Sequence, residues 1–154
     1  MQICHYPSPL GVITIGCEND YITLLRFEKI ASSKNMIISN NKLLEQAYQQ
    51  LDEYFIGARK EFNLPLNPQG TPFMQKVWQA LQKIPYGQTK SYQEIAQEIG
   101  NIKACRAIGL ANNHNPIAIF IPCHRVIGKN GQLTGYRGGL TIKQQLLNLE
   151  QHDI

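Results

Sequence analysis

Apolar positions along this chain follow two periods. Gly11-Val12-Ile13-Thr14-Ile15-Gly16 and Tyr21-Ile22-Thr23-Leu24-Leu25-Arg26-Phe27 are β-branched and aromatic runs, and the polar residues 17–20 between them suit a hairpin connection. Ile3 to Tyr6 predicts an additional edge strand. From Asn40 to Ile56 the spacing becomes helical: Leu43, Leu44, Ala47, Tyr48, Leu51, Tyr54 and Phe55 fall on one face, able to cover the small sheet. That helix should stop at Gly57. Pro65, Pro68, Gly70 and Pro72 mark a connector, which divides the chain into predicted domains 1–66 and 67–154.

The second domain reads as mainly helical. Phe73, Val77, Trp78 and Leu81 form one stripe that ends at Pro85 and Gly87. Ser91-Tyr92-Gln93-Glu94 matches a capping box, in which a serine oxygen and a glutamate satisfy free amides of a first helical turn. A short helix to Ile99, a Gly100-Asn101 turn and a second helix from about Ile102 to Asn112 form a helix-turn-helix pattern. Thr141-Ile142-Lys143-Gln144 predicts a last capping box, opening a helix with Ile142, Leu146, Leu147 and Leu149 turned inward. The whole is an α+β chain.

Composition narrows the class. With 154 residues and 43% apolar content, the chain can bury a sizeable core. Its N-terminus lacks the basic and apolar regions of a signal peptide, and no apolar run approaches a bilayer span. A cytoplasmic protein without membrane association is expected, with Cys4, Cys17, Cys105 and Cys123 reduced. Residues 1–65 carry six Lys/Arg and seven Asp/Glu, net −1; residues 66–154 carry nine and four, net +5. The basic excess therefore lies on the helical half, which fits a salt-sensitive nucleic-acid surface.

Ile121-Pro122-Cys123-His124-Arg125-Val126 is the strongest chemical signal. An apolar run, Ile117 to Ile121, ends at a proline turn that presents a thiol beside an imidazole, and a neighbouring imidazole is a common means of generating the reactive thiolate. Read alone, the dipeptide also fits a buried cysteine beside a surface histidine. A zinc site would need ligands at close spacing, yet no Cys or His follows His124 until His152.

Taken with its surroundings, the hexapeptide resembles the active-site signature of the O6-alkylguanine-DNA alkyltransferases. The resemblance runs through residues 86–92 (Tyr86-Gly87-Gln88-Thr89-Lys90-Ser91-Tyr92), 103–109 (Lys103-Ala104-Cys105-Arg106-Ala107-Ile108-Gly109), Asn115-Pro116, 135–140 (Gly135-Tyr136-Arg137-Gly138-Gly139-Leu140) and 143–150, in family order. A weaker echo lies at Ser8-Pro9-Leu10-Gly11. It implies a ribonuclease H-like N-terminal domain with a three-stranded antiparallel sheet and a helix, followed by a winged helix-turn-helix. It also implies one transfer of an alkyl group from guanine O6, with thymine O4 as a second lesion, to Cys123, irreversibly and without a cofactor.

Single residues take roles by the same resemblance. His124 would act on Cys123 through a bridging water and be oriented by Glu150; Tyr92 would donate a proton to the departing base. Asn115 would brace the helix-turn-helix against the Pro-Cys-His-Arg turn. Arg125, by contrast, is expected to make structural ion pairs or hydrogen bonds only. A base stacked in duplex is out of reach of a protein thiol, so the nucleotide must be flipped out. Arg106, mid-helix among the small residues Ala104, Cys105, Ala107 and Gly109, would fill the vacated position from the minor groove. Backbone groups of the 131–140 loop, Cys123 and Val126 would bind the guanine edge, with Tyr136 lining the pocket. Arg137 and Ala118 depart from relatives that accept bulky groups, which favours methyl over benzyl. Cys4 and Cys17 lie where some relatives bind zinc, but matching histidines are not evident, so no metal is expected. The expected partner is double-stranded DNA carrying O6-alkylguanine, engaged by a monomer. Two readings compete: a non-catalytic alkylated-DNA-binding protein, against which Cys123 argues, and a helix-turn-helix regulator, disfavoured because residues 104–111 offer few side chains able to read base edges.

Overall fold

The computed structural model describes residues 1–151, and His152 lies outside the described residues. The chain divides into two compact units, Met1–Gln69 and Gly70–Ile154. In the first, β1 (Gln2–Ser8), β2 (Gly11–Glu18) and β3 (Tyr21–Arg26) form an antiparallel meander. Asn19 and Asp20 both take positive φ, 51° and 67°, as a two-residue hairpin turn with the right twist requires. A fourth strand, β4 (Ile37–Ile38), pairs parallel to Gln2 and Ile3, giving the order β3-β2-β1-β4. The three-strand reading misses it because two residues are too short for any alternation, and β1 is consequently not an edge strand along its first residues.

Helix α1 (Lys42–Phe55) starts where the Asn41 side chain accepts the amide of Leu44 and ends before Gly57, at φ 80°. Its Leu44, Ala47, Leu51 and Tyr54 are buried, as are Ile3, Ile13, Ile15 and Leu25 of the sheet. Tyr48, at one margin of the stripe, is exposed. Thr14 is buried as well, and its hydroxyl is satisfied by donating to the Glu28 carbonyl and accepting from the Ile30 amide.

In the second unit, α2 (Pro72–Gln82) is capped by Thr71 and buries Val77, Trp78 and Leu81. The Trp78 indole donates to the carbonyl of Ala111, tying α2 to the following helices. Strand β5 (Lys90–Ser91) leads into α3 (Tyr92–Glu98), whose Ser91–Glu94 capping box has both bonds in place. Helix α4 (Cys105–Asn113) begins about three residues later than its apolar pattern suggests. Asn101 to Ala104 instead form a turn closed by the Ala104 amide on the Asn101 carbonyl, and Ala104, with no capping oxygen, is the residue before the helix.

The final helix, α5 (Leu140–Gln151), also departs from expectation. Thr141 lies inside it rather than capping it, because Gly139, at φ 100°, lets the chain turn two residues earlier and accepts the Lys143 amide. Its buried face is Lys143, Leu146, Leu147 and Glu150, two charges among two leucines, while Ile142 and Leu149 are only half-buried. Among the described residues no helix is long and apolar enough to cross a membrane.

Candidate active site

Residues 117–122 carry the chain to the thiol without forming a strand; an isolated bridge pairs Ala118 with Ile121. Ile117, Ile119, Phe120 and Ile121 are buried, and Ile119 adopts φ 69°. A β-branched residue in the left-handed region costs on the order of 1–3 kcal/mol, so the surrounding packing holds this turn in place. Cys123 to Arg125 then form one turn of 3-10 helix, and Val126–Ile127 (β6) pairs parallel with β5. The register sets Ser91 opposite Ile127, so that Tyr92, the first residue of α3, follows directly on the strand paired with the segment after the thiol turn.

The turn is pinned by amides. Asn115 donates to the Ile121 carbonyl at 2.8 Å and accepts the Ile117 amide at 3.0 Å, while Asn112 donates to the Cys123 carbonyl at 3.2 Å. Both are buried. The bracing expected of Asn115 is thus shared with Asn112, on the last turn of α4.

Behind Cys123 lies a buried charged cluster. His124 is fully buried, and its Nε2 is 2.7 Å from Glu150 Oε2. Arg125 binds the same carboxylate with two bonds, Nε to Oε1 at 2.8 Å and Nη2 to Oε2 at 3.0 Å, and donates Nη1 to the Ile84 carbonyl at 2.7 Å. The Gly87 amide adds a long contact of 3.4 Å to Oε1. Burial alone would raise the Glu150 carboxyl, but His124 and the Arg125 guanidinium outweigh it and hold the group well below the usual carboxylate range. Glu150 is therefore an ionised acceptor, so Nε2 of His124 carries the proton and Nδ1 keeps its lone pair. That Nδ1 is buried and has no hydrogen-bond partner among the protein atoms described. Burial pushes the imidazole down, against the pull of Glu150, which favours its neutral form.

Cys123 is 4% exposed. Burial pushes its thiol up; opposing this are an Asn115 hydrogen bond, the Lys143 charge, a backbone bond at Cys123 itself and Tyr136. Lys143 is the residue the sequence reading missed. Its ammonium is fully buried, donating to the carbonyls of Val126 at 2.6 Å and Thr134 at 2.9 Å, and burial lowers it to about 8 while Cys123 resists that fall. No carboxylate pairs with it among the described residues, and a buried cation without an anion is costly. Negative charge on Cys123 is the influence that would favour the ammonium against its burial. The signal was present in the 143, 146, 147, 150 spacing, which sets a lysine and a glutamate on one helical stripe with two leucines.

An open groove of about 370 Å³ is lined by Tyr92, Arg106, Gly109, Leu110, Thr134 and Gly135 among others. Arg106 is the second residue of α4 rather than a mid-helix one; it and Ala107 are exposed, Cys105 and Gly109 half-buried, and Ala104 is turned inward. Of the expected pocket residues, Tyr136 and Val126 are buried, Ala118 is half-buried and Arg137 is exposed. The Cys123 carbonyl already accepts both the Asn112 side-chain amide and the Val126 backbone amide, and the Val126 carbonyl accepts the Lys143 ammonium. In the first unit, burial and then the neighbouring Cys17 push the Cys4 thiol up to about 11. Among the described residues no group of three or more metal-binding side chains is assembled.

The sequence profiles of two domains match end to end: the ribonuclease-like domain of 6-O-methylguanine DNA methyltransferase at residues 4–68, and its DNA-binding domain at residues 72–152. The chain belongs to the 6-O-methylguanine DNA methyltransferase family. The methylated-DNA--protein-cysteine methyltransferase of Methanosarcina acetivorans is 48% identical over 97% of this chain and 98% of its own length. The constitutive enzyme of that name from Bacillus subtilis is 50% identical over 94% and 92%. The crystal structure of Mycobacterium tuberculosis OGT in complex with DNA superposes with a TM-score of 0.93 at 45% identity, covering 99% of this chain and 94% of that one. Methyltransferase-family membership therefore extends over both units, including the N-terminal one, where the sequence echo was faint.

Proposed function

We propose that this protein repairs O6-alkylguanine in DNA by moving the alkyl group onto Sγ of Cys123, once per molecule. The observation that carries the reading is the buried Cys123, His124, Glu150 and Lys143 cluster, tied to the helix-turn-helix groove through Thr134, which lines the groove and accepts the Lys143 ammonium on its carbonyl. His124 Nδ1 is the free base of the pair, and it takes the thiol proton through a bridging water, as in the relays that join a nucleophile, a base and an orienting carboxylate. Lys143 holds the resulting thiolate. Sγ then attacks the sp3 alkyl carbon in line, the carbon–O6 bond breaks, and its electron pair passes into the guanine ring. Tyr92 donates a proton to a ring nitrogen as that charge develops. The product is a thioether, which has no ready leaving path, so the reaction stops after one turnover.

The damaged nucleotide reaches the site by flipping out of the duplex, with α4 in the minor groove and Arg106 taking the vacated place in the stack. Ala118 and Arg137, as residue types that depart from relatives, put benzyl-sized groups in doubt while methyl transfer fits; O4-alkylthymine is the second lesion. Every group in this scheme comes from a single chain, so a monomer suffices. Incubation with duplex DNA containing O6-methylguanine, followed by intact mass and peptide mapping, is expected to show one methyl per protein, on Cys123. Multiple turnovers, or the methyl on Cys105, would overturn the assignment.

Arg106→Ala is expected to slow repair in duplex DNA by roughly tenfold or more while hardly affecting reaction with a free O6-alkylguanine base, because extrusion costs a few kcal/mol only in the duplex. The comparison is made at saturating DNA, since the arginine also contributes general affinity. Equal slowing on both substrates would assign Arg106 a structural role.

A further inference from the structure

We infer that Thr134 is a positioning residue for the proton-donating step, holding the Tyr92 hydroxyl so that its own proton points into the groove; this rests on the proposed role of Tyr92. The Thr134 hydroxyl donates to the Tyr92 phenolic oxygen at 2.8 Å, and both residues line the same groove. A phenol has one proton. With its oxygen already accepting from Thr134, that proton is not spent on the neighbour and is left for a group in the groove.

Thr134 is itself fixed at three points. Its carbonyl accepts the buried Lys143 ammonium at 2.9 Å. Its methyl packs against Gly128, where an added Cβ would come within 3.3 Å of Thr134 Cγ2. Its hydroxyl holds Tyr92, which is fixed in turn as the first residue of a capped helix. One loop residue thus joins the cation facing the nucleophile to the donor facing the leaving group.

The contact gains strength when it is needed. In the resting protein it is an exposed bond between two neutral hydroxyls, and water competes for it. As Tyr92 hands its proton to the departing guanine its oxygen gains negative charge, and the Thr134 O–H becomes a donor to a developing anion, a stronger bond. An interaction stronger in the transition state than in the ground state accelerates the step without tightening binding. The balance is complete: the Tyr92 proton goes to the guanine ring nitrogen, Thr134 keeps its own, and the phenol regains a proton from solvent after the base leaves.

The test is a cycle of single-turnover rate constants on O6-methylguanine duplex at saturating DNA, for the parent protein, T134V, T134S, Y92F and T134V/Y92F, with thermal unfolding of each. T134V is expected to slow transfer about tenfold, the size of one hydrogen bond to a charged group. T134S should restore the parent rate, and T134V should add nothing to Y92F. DNA affinity should stay within twofold throughout. If Y92F slows transfer but T134V slows the parent and Y92F equally, or does not slow the parent, this inference is overturned and the role of Tyr92 stands. If Y92F transfers at the parent rate, both fall together.

Discussion

Cys123→Ala is expected to abolish alkyl transfer while leaving the protein folded and able to bind DNA. Alanine removes the only group in the cluster able to accept the alkyl carbon: His124 presents its free nitrogen in a fully buried position, and Lys143 is held on two carbonyls. The loss should be total rather than partial, because in a one-step displacement no other group substitutes for the nucleophile. Truncating so small a buried side chain costs about 1 kcal/mol of stability, which a domain of this size tolerates. The check is mass spectrometry for transfer, with fluorescence anisotropy on lesion-bearing duplex for binding. Undiminished methyl incorporation in this variant would reassign the nucleophile, with Cys105 on the groove as the first alternative.

Glu150→Gln is expected to give the largest loss of stability, about 3–5 kcal/mol, since removing one partner of a buried pair strands the other's charge. Here two groups are stranded. Arg125 loses both charge-assisted bonds, and His124 loses the anion that fixes its tautomer. The dependence on pH supplies a signature. The folded-state pKa of Glu150 is depressed, so its contribution is fully present above its unfolded value of about 4.3 and disappears as pH falls through the lower folded value. Parent and variant should therefore differ at neutral pH and converge only in strong acid. Urea unfolding across that range tests this; a neutral-pH difference under about 1 kcal/mol, the value of a solvated ion pair, would show that the cluster is not acting as a buried unit.

What could be read from sequence depended on whether the signal was local. The Pro122-Cys123-His124 turn, the Ser91–Glu94 capping box and the α1 stripe each declare themselves within a few residues, and each is present in the fold. Contacts between distant segments left little trace. Lys143 reads as a solvated helical lysine until the carbonyls of Val126 and Thr134, brought in by other segments, surround it. Asn112 and Thr134 are ordinary polar residues whose partners lie 11 and 42 positions away. Boundary errors had a different origin: Ile102, taken as the approximate start of α4, is 63% exposed in the preceding turn, and Gly139 outcompetes Thr141 as the start of α5. An apolar residue or a capping sequence signals a tendency, and a glycine able to reverse the chain two positions earlier overrides it.

The concealment of the Cys123 thiol sets its shelf life. A reagent that can be used once must stay unspent between encounters, among soluble oxidants and electrophiles that attack exposed thiolates. At 4% exposure, and with burial disfavouring the anion, the sulfur is closed to casual collisions, while in the proposed mechanism Lys143 and His124 ionise it. Nucleophilic power is stored in the neighbours and not in the sulfur. On the proposed mechanism, such a molecule would stay inert toward small reagents in bulk solvent and react only with a base that is brought to the sulfur.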